Sequence, residues 1–161
     1  MGLDQYITLK ETGRRGKLAA CGEPHYFRKF NALHGWLARN VGEIENQEDL
    51  IVPRKAWKRL LDLAEELLPY RSKLVTKMVE DHYSHGKPYK DTVIDDPAII
   101  AVLKEKLPLT EGFFFGEYYY YNSWYFEDLE NLRNLIRDVI LSPDNEAYDD
   151  RMHVYTYRAW W

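Results

Sequence analysis

Two stretches of this 161-residue chain carry side chains whose types and spacing point to ligand recognition. Between Arg28 and Trp36, two cations, an amide, an imidazole and an indole fall within nine residues: Arg28, Lys29, Asn31, His34 and Trp36. A guanidinium grips a phosphate or carboxylate bidentately, an ammonium adds a point charge, an amide reads a base edge and an indole stacks on a ring. Asn31 and His34 lie three apart, so on a helix they share a face. The same cations also fit an ordinary solvated helix face. The second stretch is GFFFGEYYYYNSWY, residues 112–125. Its glycines permit close backbone approach, and its rings offer stacking surface. Phe115, Tyr118, Tyr120 and Tyr125 are its candidates, with the other phenylalanines read as core.

Other constellations carry less. Asp81-His82-x-x-His85 places two histidines three apart, as metal ligands can be, but no second His or Cys pair stands at a recognised spacing. No metal ligand is assigned. Asp4 with His34 or His153 makes an acid–base pair only where the fold joins them. Phosphate-loop, dinucleotide-fingerprint, zinc-protease and nucleophile-elbow motifs are absent from the sequence. No catalytic residue and no cofactor is assigned.

The elements that must position these residues follow from periodicity. Residues 3–10 alternate as a strand, TGRRG at 12–16 is a turn, and 17–21 is the hairpin partner. Phe30, Leu33, Leu37 and Val41 form one stripe, which predicts a helix from about 27 to 41 with Arg28 and Arg39 pointing away. Leu50 to Val52 reads as a short strand, and Pro53 opens a helix to about 68. Leu74, Val75, Met78 and Val79 predict a helix over 71–83. Asp96-Pro97 starts another, residues 111–121 are β-prone, 124–141 is the last helix and the 151–160 tail a final strand. The expected fold class is α+β in a single domain, 1–161. A small sheet from the N-terminal hairpin, the 112–121 segment and the C-terminal strand packs with four or five helices.

Composition bounds the function. At 45% hydrophobic and 15% aromatic residues, with a net charge of −4, the chain can build a core, which excludes disorder, collagen and coiled-coil arrays. Residues 1–40 hold seven basic and three acidic groups (+4), and residues 41–161 hold 15 and 23 (−8). A basic quarter on an acidic body attracts a small anion but gives no broad cationic surface for duplex DNA. No membrane partner is expected, since no apolar run reaches a membrane span. Cys21 stands alone, so no internal disulfide forms and a cytoplasmic setting is expected. The start Met1-Gly2-Leu3-Asp4 is not that of a signal peptide.

Read together, MGLDQY, YFRKFNALHGW and LPLTEGFFFGEYYYYNSWYFEDL resemble a family of small proteins common in phage and prophage genomes. The matching positions are Gly2, Leu3, Asp4 and Tyr6; Tyr26, Arg28, Lys29, Asn31, His34 and Trp36; Gly112 to Gly116; and Tyr125 with Asp128. Gln5 stands where methionine is usual and Phe27 where tryptophan is usual. The resemblance implies an accessory protein in the cytoplasm of an infected bacterium, of a kind that binds host components, including nucleotide-derived immune signals. The expected function is capture of a small anionic nucleotide-like ligand between helix 27–41, the strand at Asp4 and Tyr6, and the 112–125 segment. The alternatives are a phosphoester-cleaving enzyme with His34 as acid–base, and a protein–protein inhibitor displaying Trp160 and Trp161. Homo-oligomerisation stays open.

Overall fold

Alternation at the start of the chain builds the strand on which the fold is organised. In β1 (Asp4–Thr12), Gln5, Ile7 and Leu9 are buried on one side, while Asp4, Tyr6 and Lys10 stay partly exposed on the other. β1 pairs antiparallel with the last strand, β7 (His153–Trp160), from Asp4 opposite Trp160 to Glu11 opposite His153. The other edge of β1 is shared by β2 (Leu18–Ala20), beside residues 10–12, and β3 (His25–Arg28), beside residues 4–7. β4 (Asp49–Val52) lies on the far side of β7 and completes a five-stranded antiparallel sheet. The computed structural model describes residues 2–80, 85–112, 120–145, 148–149 and 151–161.

Among these residues are four α-helices: α1 (Asn31–Asn40), α2 (Arg54–Leu67), α3 (Pro97–Lys106) and α4 (Ser123–Leu135), the last continuing as a π turn to Ile140. Punctuation is local, and Asp96-Pro97 is the expected helix start. The Asp96 side chain accepts from the Ala98 amide, Pro97 opens α3, and Asn122 caps α4 by accepting from the Tyr125 amide. Trp57, Leu60, Leu67, Leu103, Phe126, Leu129 and Leu132 form one core with Leu3 before β1 and with Ile7, Tyr155, Tyr157 and Ala159 of the sheet. The fold is therefore α+β, with the first and last strands adjacent in one sheet. No helix among the described residues is long and apolar enough to cross a membrane.

Two expected helices differ. The segment expected as helix 27–41 is a strand up to Arg28, and α1 begins only at Asn31. Lys29 takes φ 58°, a left-handed turn that breaks any helix there. The 71–83 helix is instead β5 (Leu74–Val79), paired with β6 (Tyr89–Ile94) in a separate two-stranded hairpin. Its apolar spacing fits a helix, but a partner fifteen residues on supplies the ladder that decides for a strand. Most of the expected 112–121 strand lies outside the described residues.

Helix α1 packs against the loop after α3 with no room to spare. A Cβ on Gly35 would lie 1.9 Å from the Thr110 hydroxyl and 2.9 Å from its Cβ. Thr110 is short and branched and cannot swing clear. Gly35→Ala is expected to destabilise the protein by about 1–3 kcal/mol, the usual range for overpacking, despite alanine's better helix propensity. Urea denaturation of the variant measures this; a neutral or stabilised variant refutes the close packing.

Candidate binding site

The free edge of β3 and one face of α4 enclose a groove of about 570 Å³. Its strand wall is His25 to Lys29, and its helix wall is Trp124, Asp128, Asn131 and Leu135. Those four positions are spaced i, i+4, i+7 and i+11, a single stripe of α4. β3 pairs only with β1 among the described residues. The Lys29 amide donates to the Leu3 carbonyl at 2.7 Å, which sets odd-numbered residues to face β1. The backbone groups of Tyr26 and Arg28 consequently point away from β1, toward the groove side.

Charge is concentrated at its mouth. Arg28 is exposed, and the Lys29 side chain runs over Gly2, with its Cε 3.0 Å from where a Gly2 Cβ would stand. Burial holds the His25 imidazole below its usual range, so it is neutral at pH 7. Facing these, Trp124 is 63% exposed. Asp128 has no hydrogen-bond or ion-pair partner among the described residues. Burial, with Glu127 beside it, pushes its carboxyl up to about 7. An unpaired, desolvated carboxyl in a concave site is the kind of group that functional sites hold. Below pH 7 the groove therefore carries two cations and little opposing charge.

The structure divides the other expected site residues among three places. Asp4 and Tyr6 lie on the outer face of the sheet, around the edge from the groove. There the Tyr26 hydroxyl donates to Asp4, which pushes that phenol up to about 12, and the Tyr6 and Tyr26 rings meet at 5.4 Å. Asn31, His34, Trp36 and Tyr125 are buried. Asn31 accepts from the Thr110 amide at 3.2 Å, and the Tyr125 hydroxyl donates to the Leu107 carbonyl at 3.0 Å. Trp36 is roofed by the Arg59 guanidinium, 5.3 Å from its ring. These four are buried and position the fold; Asn31 and Tyr125 lie beneath the groove beside Lys29, Trp124 and Asp128, bounding a small apolar crevice. The Tyr120 hydroxyl donates to the Glu80 carbonyl at 2.6 Å, tying the chain before α4 to the end of β5. Phe115 and Tyr118 lie outside the described residues, as do Asp81 and His82.

His34, the expected acid–base in the enzymatic alternative, sits 6% exposed on the core side of the sheet. Gln5 Nε2 donates to the Tyr157 hydroxyl at 2.9 Å, and that hydroxyl lies 2.9 Å from His34 Nδ1. Gln5, Tyr157 and His34 thus form one buried hydrogen-bonded chain, and the ring is neutral at pH 7. Burial lowers its pKa to about 4. Asp4 lies on the opposite face of the same sheet, and His153 is at the other end of β1, beside Glu11. The fold therefore separates both expected acid–base pairs. No cluster of His, Cys, Asp and Glu among the described residues is placed to hold a metal ion.

Sequence reasoning missed His25, Trp124 and the role of Asp128. The spacing of i, i+4, i+7 and i+11 on α4 is the one local signal that could have found Trp124 and Asp128, but nothing local shows that a strand edge faces it. Comparison with protein-family models, curated proteins and solved structures returned no match, so the site is read from its own geometry.

Proposed function

We propose that the protein is a binding protein that captures a small anionic, ring-bearing ligand of the nucleotide type in the groove between β3 and α4. The observation that carries this is the exposed Trp124 ring facing Arg28 and Lys29 across a cavity of about 570 Å³. The cations meet the phosphate, the indole stacks on the ring, and Asp128 in either protonation state pairs with a polar edge. The resemblance to phage accessory proteins makes nucleotide-derived host signals in a bacterial cytoplasm the first ligands to try.

Thermal-shift and calorimetric titration with mono-, di- and cyclic nucleotides tests the reading. Stabilisation by at least one is expected, with affinity reduced about tenfold or more in Trp124→Ala. Lys29→Gly is the sharper variant: it relieves the left-handed backbone, keeps stability and deletes one cation. No stabilisation by any nucleotide sinks the reading. Affinity is also expected to fall between pH 6 and 8 as Asp128 ionises beside the bound anion. Asp128→Asn removes that fall.

The outward backbone groups of Tyr26 and Arg28 favour a second reading, an extended acidic peptide adding to β3 as a further strand against the α4 stripe. Protection of the Tyr26 and Arg28 amides from hydrogen exchange on adding peptide, and none on adding nucleotide, separates the two.

A further inference from the structure

The outer face of the sheet presents a second surface, which meets the rim of the groove at Tyr26 and Arg28. Helices and sheet share one core on the other side, through Leu3, Ile7, Tyr155, Tyr157 and Ala159. The concavity on the outer side, about 450 Å³, is lined by strand and loop residues alone, with Tyr6, Thr8, Lys10, Asp49, Arg158 and Trp160 among them. Register places these side chains in rows. Tyr26, Tyr6, Arg158 and Asp49 stand directly opposite one another across β3, β1, β7 and β4, and Arg28, Asp4 and Trp160 form the next row. Three rings thus share one flat face, with Trp160 56% and Tyr26 52% exposed. Strand pairing fixes the backbone spacing of these rings before any partner arrives, which lowers the ordering cost of stacking on them.

The charge on this face differs from that of the chain. Lys10, Arg28 and Arg158 stand against Asp4 and Asp49, leaving +1 on a protein whose total is −4. Asp49 is shared: Lys10 pairs with it, and Arg158 donates to it at 3.1 and 3.2 Å, so one of the two cations is uncompensated. These partners hold the Asp49 carboxyl below its usual range against the opposing pull of burial, so it stays ionised and the cations stay fixed. Backbone pairing is not available on the flat of a sheet, so the occupant must be recognised through rings and charge. From this juxtaposition we propose that the outer face binds a short single strand of nucleic acid, its bases stacked on Tyr6, Tyr26 and Trp160 and its phosphates met by Arg28 and Arg158. Duplex buries its base faces and gains nothing from such a platform.

Fluorescence anisotropy of 5′-labelled oligouridine and oligodeoxythymidine twelve-mers at about 50 mM salt, where phosphate contacts are strong, tests this. Binding is expected for at least one, weakening as salt rises. Trp160→Ala and Tyr6→Leu, checked for unchanged circular dichroism, are each expected to weaken it about tenfold, the effect of losing one stacked base. Trp124→Ala is expected to leave it unchanged, which separates this face from the groove. The proposal is overturned if neither oligonucleotide binds, if a twelve-base-pair duplex binds as well, or if the two face variants bind like the parent. Sedimentation showing a dimer that Trp160→Ala disperses assigns the face to a second copy of the chain and also overturns it.

Discussion

Asp128→Asn is expected to raise stability at pH 8 by about 1–3 kcal/mol and to change little at pH 4. In the folded protein this carboxyl titrates at about 7, against an ordinary value of 3.8. Between those values the folded state holds a proton that the unfolded chain has released, so stability falls as pH rises through this window. Above pH 7 the full penalty is present. At about 1.4 kcal/mol per tenfold, the gap sets a ceiling near 4 kcal/mol, and solvent entering the groove screens part of it. Asparagine has the shape of the protonated acid and never ionises, so it removes the penalty. Urea midpoints of both proteins from pH 4 to 8 measure it: the curves should converge in acid and separate above neutrality. Parallel curves would show that Asp128 titrates as an ordinary exposed carboxyl. The gain is informative because natural chains retain a destabilising group where it has work to do. Asp128 lines the groove together with Arg28, Lys29 and Trp124.

The second large effect has the opposite sign with pH. His34 titrates at about 4 in the fold, against 6.5 ordinarily, because burial opposes its charge. The unfolded chain takes up a proton below 6.5 that the folded one refuses, so stability falls as pH drops from 6.5 toward 4. The expected loss is about 2–3 kcal/mol. His34→Gln can still accept from the Tyr157 hydroxyl and carries no proton equilibrium. It should cost about 1 kcal/mol at pH 7 and level the acid side of the profile. Tyr157→Phe removes the hydroxyl that Gln5 and His34 share and is expected to cost about 1–3 kcal/mol at any pH, although Gln5 Nε2 keeps its bond to the Phe30 carbonyl. Chemical denaturation at pH 4.5 and 7 distinguishes this structural histidine from a catalytic one. A variant that keeps the parent's stability and acid sensitivity would remove His34 from the core network and return it to the list of functional candidates.

Much of this architecture was legible because its signals are local. Alternation around Ile7 and Leu9 makes a strand, Asp96-Pro97 opens a helix, and the spacing of Trp57, Leu60, Ala64 and Leu67 makes a buried helical face. Each depends on residues within a turn or two of one another. Residues 71–83 were misread for the complementary reason: Leu74, Val75, Met78 and Val79 satisfy either period, and the choice is made by β6, beyond the reach of a local pattern. Arg28 and Lys29 were recognised as functional types but placed on a helix, because nothing in their neighbours shows that Lys29 turns left-handed and separates β3 from α1.

The sequence by itself determined the α+β class, the terminal strands, most helix boundaries and the concentration of Arg, Lys and aromatic residues near the chain start. Only the tertiary structure decided which of those residues meet solvent. It sent His34, Asn31, Trp36 and Tyr125 into the core and turned Tyr6, Tyr26 and Trp160 outward. It also set Trp124 and Asp128 opposite Arg28 and Lys29. The physical reason is that a side chain's chemistry is written in its identity, whereas its exposure is a property of the strand register and of the faces that elements far apart in sequence turn toward one another.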